Sequence, residues 1–82
     1  MQRNIIPGVV DGQQSLSRLG HDATALEAAQ IMRERRIGAV MIVEDDRLVG
    51  IVTERDLVFR LVAAGLDPAQ TRLGQIMTSA PE

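Results

Sequence analysis

The sequence predicts a small α/β domain of the α+β kind, ordered strand, helix, strand, strand, helix, with a small sheet and two helices that pair with a second copy. Three observations carry that prediction. Thr24-Ala25-Leu26-Glu27 has the pattern of a reciprocal helix cap and precedes small and apolar residues at helical spacing. Two short apolar runs, residues 39–43 and 48–52, flank a polar turn. A second helix, opened by Thr53, carries apolar side chains over about 260° of its circumference.

Residues 1–22 mix Pro7, Gly8, Gly12 and Gly20 with polar residues, and read as a leader with one short strand at residues 15–19. The first helix starts after Thr24, with Ala25, Ala28, Ala29 and Met32 on one side. Arg33, Arg35 and Arg36 suit its negative pole, and Gly38 is expected to supply the left-handed stop. Ala39-Val40-Met41-Ile42-Val43 is too short for a helix and rich in β-branched residues, so it predicts a strand buried on both faces. Glu44-Asp45-Asp46-Arg47 is a turn, and Leu48-Val49-Gly50-Ile51-Val52 returns as the other arm of a hairpin. Gly50 inside that arm marks a bend or the close approach of another group. The second helix runs from Thr53 to about Ala64 and stops at Gly65. Arg60 is the one polar residue in its apolar body, Leu57 to Ala64. So wide an apolar surface calls for cover from a second copy.

Composition removes several classes of function. With 45% apolar and 24% charged residues the chain is neither a disordered tail nor a membrane span. A net charge of −2 leaves no broad basic field for a polyanion, so nucleic acid is not a default partner. Phe59 is the sole aromatic residue, which rules out a base-stacking platform. All basic residues are Arg and Cys is absent, which excludes lysine Schiff-base chemistry, disulfides and cysteine-based zinc sites. The N-terminus has no long apolar stretch of the signal-peptide kind, so a cytoplasmic location is expected. His21 lies in a turn-like stretch and reads as a surface residue, and Asp45-Asp46 as a solvated turn. Met32, Met41 and Met77 read as packing residues. No nucleophile and base are set side by side, so the chain is not expected to be an enzyme.

Gly50-Ile51-Val52-Thr53-Glu54-Arg55-Asp56, at the junction of the third strand and second helix, resembles the signature of the cystathionine-β-synthase (CBS) domain. In that family the junction reads Gly, apolar, any, Ser or Thr, two residues, Asp, within a β-α-β-β-α motif. The entry into the middle strand, Arg36-Ile37-Gly38-Ala39-Val40, is similar to the family as well. The resemblance implies a leader at residues 1–14, a CBS motif at 15–66 and a linker at 67–82 into a presumed second motif. Ile76-Met77-Thr78 resembles such a linker, and residues 73–81 weakly echo residues 3–10. CBS motifs usually pack as a pseudo-twofold pair, the Bateman module; with one motif here, the resemblance implies either a fragment or a homodimer through helices and sheet.

The resemblance further implies a regulatory module that binds an adenosine-containing ligand, AMP, ATP or S-adenosylmethionine, in a cleft between paired motifs, with no required cofactor and no metal. By position, Asp56 would accept hydrogen bonds from both ribose hydroxyls, and Thr53 would donate to ribose or phosphate. The backbone of Gly50, Ile51 and Val52 would lie against the base, and Arg55 and the start of the second helix would favour a phosphate. Thr53-x-x-Asp56 is equally a helix cap, and the alternative to a ligand site is a ligand-free structural dimerisation module.

Overall fold

The computed structural model describes residues 17–80. The expected leader, its echo at residues 3–10, and the first residues of the expected opening strand lie outside that range. Strand β1 (Arg18–Leu19) leads to helix α1 (Ala25–Arg35). The hairpin β2 (Ala39–Glu44) and β3 (Arg47–Thr53) follows, and then α2 (Glu54–Asp56), which runs on into a π-helical stretch (Leu57–Val62). A short helix α3 (Leu73–Ile76) and strand β4 (Thr78–Ser79) end the described chain. The strands form one sheet in the order β1-β2-β3-β4, with β1 parallel to β2 and the other pairs antiparallel.

Helix α1 opens as the sequence requires. The Thr24 hydroxyl accepts the Glu27 amide, and the Glu27 carboxylate accepts the Thr24 amide at 2.8 Å. Two further amides of that first turn, those of Ala25 and Leu26, donate to the carbonyls of Thr71 and Pro68 at 2.8 and 3.1 Å. The segment before α3 thus satisfies donors that a helix start leaves open. The stop differs from the expectation at Gly38. Arg36 takes the left-handed conformation, φ 57°, and the amides of Arg36 and Ile37 both donate to the Met32 carbonyl. This closure of the helix end is set by hydrogen-bond spacing from Met32, two residues before the glycine, and it holds a non-glycine residue where glycine is usual.

The hairpin turns on Asp45 and Asp46, both at positive φ (51° and 63°), the two-residue turn whose twist matches that of its strands. Aspartate tolerates this conformation better than most side chains. The register slips between Ile42 and Val43, so that Ile42 faces Gly50 while Val43 faces Leu48. Val40, Ile42 and Val52 are fully buried against Ala25, Ala28, Met32, Leu61, Leu73 and Ile76. The strand predicted to be buried on both faces is buried on one within this chain: Ala39, Met41 and Val43 are only half-buried, because the helices pack on the opposite side of the sheet.

The second helix ends near Gly65 (φ 74°), as expected, but its body has a wider winding than the α-helix the pattern predicts. Ala63 and Leu66 donate to carbonyls five residues back, those of Val58 and Leu61, at 2.9 and 3.0 Å. Leu61 enters the core and Leu57 packs against it. Val58, Phe59, Val62 and Leu66 stay exposed, Phe59 by 59% and Val62 by 67%, which is the surplus apolar surface foreseen from the pattern.

Candidate functional site

The junction residues converge where β3 passes into α2. Thr53 caps α2: its hydroxyl accepts the Asp56 amide at 3.1 Å, and its amide donates to Asp56 Oδ2 at 2.9 Å. The same hydroxyl lies 3.1 Å from Oδ2, within donating distance. The reciprocal cap anticipated from Thr53-x-x-Asp56 is therefore formed, and it fixes the carboxylate at 7% exposure. Two residues not selected from the sequence complete the setting. The Thr78 hydroxyl, on β4, donates to Asp56 Oδ1 at 3.2 Å. Arg60 Nε, one helical turn beyond Asp56, stands 3.7 Å from the same oxygen, and Arg60 Nη1 donates to the Met77 carbonyl at 3.1 Å. The signals for both were present: Arg60 is the lone polar side chain of an apolar helix, and Thr78 ends the linker-like Ile76-Met77-Thr78.

Gly50 is buried, and the reason is the return of the chain on itself. A Cβ there would stand 2.5 Å from Met77 Sδ and 2.9 Å from the Thr78 carbonyl oxygen, so the group that approaches closely is β4. Gly50 faces Ser79 and Ile51 faces Thr78 across that pairing. Ile51 also faces Met41, and residues paired directly across strands share a face, so Met41, Ile51 and Thr78 lie together on the side of the sheet away from α1. Val52 points the other way and is wholly buried in the core. Of the selected residues, Thr53 and Asp56 are in contact and Ile51 sits beside them, whereas Val52 offers no side chain to this face. Arg55 is exposed and its guanidinium lies 4.6 Å from the centroid of the Phe59 ring.

Asp56 thus supplies a fixed carboxylate with defined donors on both oxygens, suited to accepting hydroxyl groups that replace or join Thr78. No group of three or more His, Asp and Glu residues able to hold a metal occurs among the described residues. No described helix is long and apolar enough to cross a membrane.

His21 stands elsewhere, in the loop between β1 and α1, where its carbonyl accepts the Gly74 amide of α3. It is exposed, as expected, yet engaged: Nδ1 lies 2.6 Å from Glu44 Oε2, and its amide donates to the same oxygen at 2.7 Å. The hydrogen bond to Glu44, aided by the charges of Asp22 and Glu44, raises the His21 pKa above its ordinary value, and the donors of His21 hold the Glu44 carboxyl below its own.

Comparison with known proteins gives a consistent family. Residues 1–63 match the model of the CBS domain. Hypoxic response protein 1 of Mycobacterium tuberculosis is 48% identical over 59 residues, which is 71% of this chain and 41% of that protein. A putative signal-transduction protein with CBS domains from Burkholderia ambifaria superposes with a TM-score of 0.77 at 31% identity, covering 85% of this chain and 52% of that one. A CBS domain protein from Pyrobaculum aerophilum, solved in complex with AMP, gives a TM-score of 0.66 at 32% identity over 76% of this chain and 48% of that one. The chain spans less than half the length of the curated relatives it matches first.

Proposed function

The chain belongs to the CBS-domain family, and from that premise we propose that it is a regulatory, non-catalytic module that forms a homodimer and binds an adenosine-containing ligand at the Thr53–Asp56 junction. The observation that carries this reading is the Asp56 carboxylate, nearly buried yet turned toward the Thr78 hydroxyl beside the half-buried face of Met41 and Ile51. A ribose presents paired hydroxyls that an ionised carboxylate accepts well, and apolar Met41 and Ile51 give a base something to lie against. The AMP complex of the relative from Pyrobaculum aerophilum supports the choice of ligand class. Within this reading Thr53 orients Asp56 and donates to ribose or phosphate, Gly50 and Val52 contribute backbone alone, and Arg55 swings from Phe59 to a phosphate. A ligand that prefers one arrangement of the paired copies over another shifts the equilibrium between them, and that preference is the regulatory signal.

One observation favours the second reading, a ligand-free dimerisation module. The oxygens of Asp56 already accept from Thr53, Thr78 and, more distantly, Arg60, so the site is satisfied by the chain itself. Titration calorimetry with AMP, ATP, S-adenosylmethionine and NAD separates the two. Binding of one of them is expected, and a matching rise in melting temperature with it. Asp56→Ala then weakens binding by about 1.5 to 3 kcal/mol, the scale of lost hydrogen bonds to a charged group. Absence of heat and of any melting shift with all four ligands, on folded protein, selects the structural module instead.

A further inference from the structure

His21 joins three parts of the fold, the β1–α1 loop, the end of β2 and helix α3. It sits in the loop between β1 and α1. Its side chain and amide both engage Glu44 at the end of β2, while its carbonyl accepts the Gly74 amide of α3 at 2.9 Å. Neighbouring bonds strengthen the last connection: Leu73 donates to the Ala23 carbonyl at 2.8 Å, and Arg72 Nη1 donates to the Asp22 carbonyl at 3.0 Å. Gly20 packs so closely that a Cβ would come within 2.9 Å of Glu44 Oε2. Helix α3 leads within one residue to β4, which carries Thr78 to Asp56.

We propose that His21 is a pH-responsive strap that ties the β1–α1 loop to β2 and, through its carbonyl, holds α3 and the segment leading to Thr78. The charged groups around it are Asp22 on its own loop, 3.4 Å from Nε2, Glu44 on β2, and Arg72 ahead of α3. Helix α3 and the adjoining part of β3 present Gly74, Gln75 and Val49 to this cleft and no charge. Two carboxylates facing one imidazole favour the imidazolium, and the one guanidinium is turned to a backbone carbonyl.

The sign follows from the shifts. A histidine whose pKa is raised in the folded chain contributes its full stabilisation below 6.5 and loses it as the pH climbs through the raised value. Glu44, lowered by its contact with His21, contributes above 4.5 and loses its share as the pH falls through its own folded value. The strap is therefore tightest in mildly acidic solution and slackens toward alkaline pH. The strap acts whether or not a nucleotide binds.

Because the chain holds a single histidine, its ring resonances in an NMR pH titration need no assignment. His21 is expected to titrate above 6.5, and Glu44→Gln to return it toward that value. Amide exchange, corrected for its intrinsic dependence on pH, supplies the second measurement. Between about pH 5.5 and about pH 8.5 the Gly74 and Leu73 amides are expected to lose protection several-fold relative to the Ile42 amide of the central sheet. His21→Asn is expected to abolish that difference. Titration of His21 at or below 6.5 in the native chain overturns the proposal, as does protection at Gly74 that changes only in step with Ile42.

Discussion

Thr53 and Asp56 close the first turn of α2 and, with the same bonds, set the direction of the carboxylate that the proposed ligand would meet. Stability and binding are therefore coupled at this pair. Thr53→Ala removes the acceptor for the Asp56 amide and is expected to lower unfolding stability by about 1 kcal/mol, the usual loss for a helix cap. Urea denaturation checks it, with the midpoint falling and the slope unchanged. An unaltered midpoint would mean that Thr78 and Arg60 alone hold the carboxylate. The Thr24 and Thr53 caps were legible in the sequence because each depends on residues three apart, and no distant contact is needed to form them. The partners of Asp56 outside the cap were not legible. Thr78 lies twenty-two positions away, and its meeting with Asp56 depends on where β4 lands. The stop of α1 shows the same limit at short range: Gly38 has the favoured residue type, yet the hydrogen-bond closure from Met32 falls on Arg36.

Among the elements, β4 is the one least supported by its own sequence. Two residues cannot hold a strand by propensity, and β4 exists because Gly50 lets it approach β3. The pairing of Gly50 with Ser79 and Ile51 with Thr78, together with the Arg60 bond to the Met77 carbonyl, fixes the segment. Gly50→Ala is expected to displace Met77 and press on the Thr78 carbonyl, at a cost of about 1 to 3 kcal/mol, the range for overpacking a filled site. Chemical denaturation gives the total. Amide exchange at Ala80, which donates to the Val49 carbonyl, shows whether β4 is the part that loosens. An unchanged midpoint with Ala80 still protected would show that Met77 yields without cost. The hairpin and α1 were readable from periodicity and turn chemistry, whereas α3 and the π-helical winding of residues 57–62 were not. The apolar pattern of the second helix is compatible with either winding, and the bonds five residues apart are fixed only once Leu61 and its neighbours meet the core.

On the scale of the whole molecule, the apolar residues divide into a filled core and an uncovered flank. Val58, Phe59 and Val62 face outward from one helical stretch, Leu66 just beyond it is exposed too, and Met41, Val43 and Ile51 are only half covered on the open side of the sheet. A domain of this size hides a limited share of its surface by itself, so pairing with a second copy is the economical way to remove both patches from water. In the proposed arrangement Asp56 and Ile51 form one wall of the nucleotide cleft and the second copy supplies the other. The native chain is accordingly expected to scatter light as a dimer at micromolar concentration, with a melting temperature that rises as the protein is concentrated. Val62→Glu places a charge at the most exposed of these helical positions without disturbing the buried Leu61. It is expected to give a monomer of unchanged circular dichroism whose melting temperature no longer depends on concentration, and to lose AMP binding along with the dimer. A native chain that stays monomeric through the micromolar range would remove the second wall, and a Val62→Glu monomer that binds AMP as the native chain does would show that one copy forms the site alone.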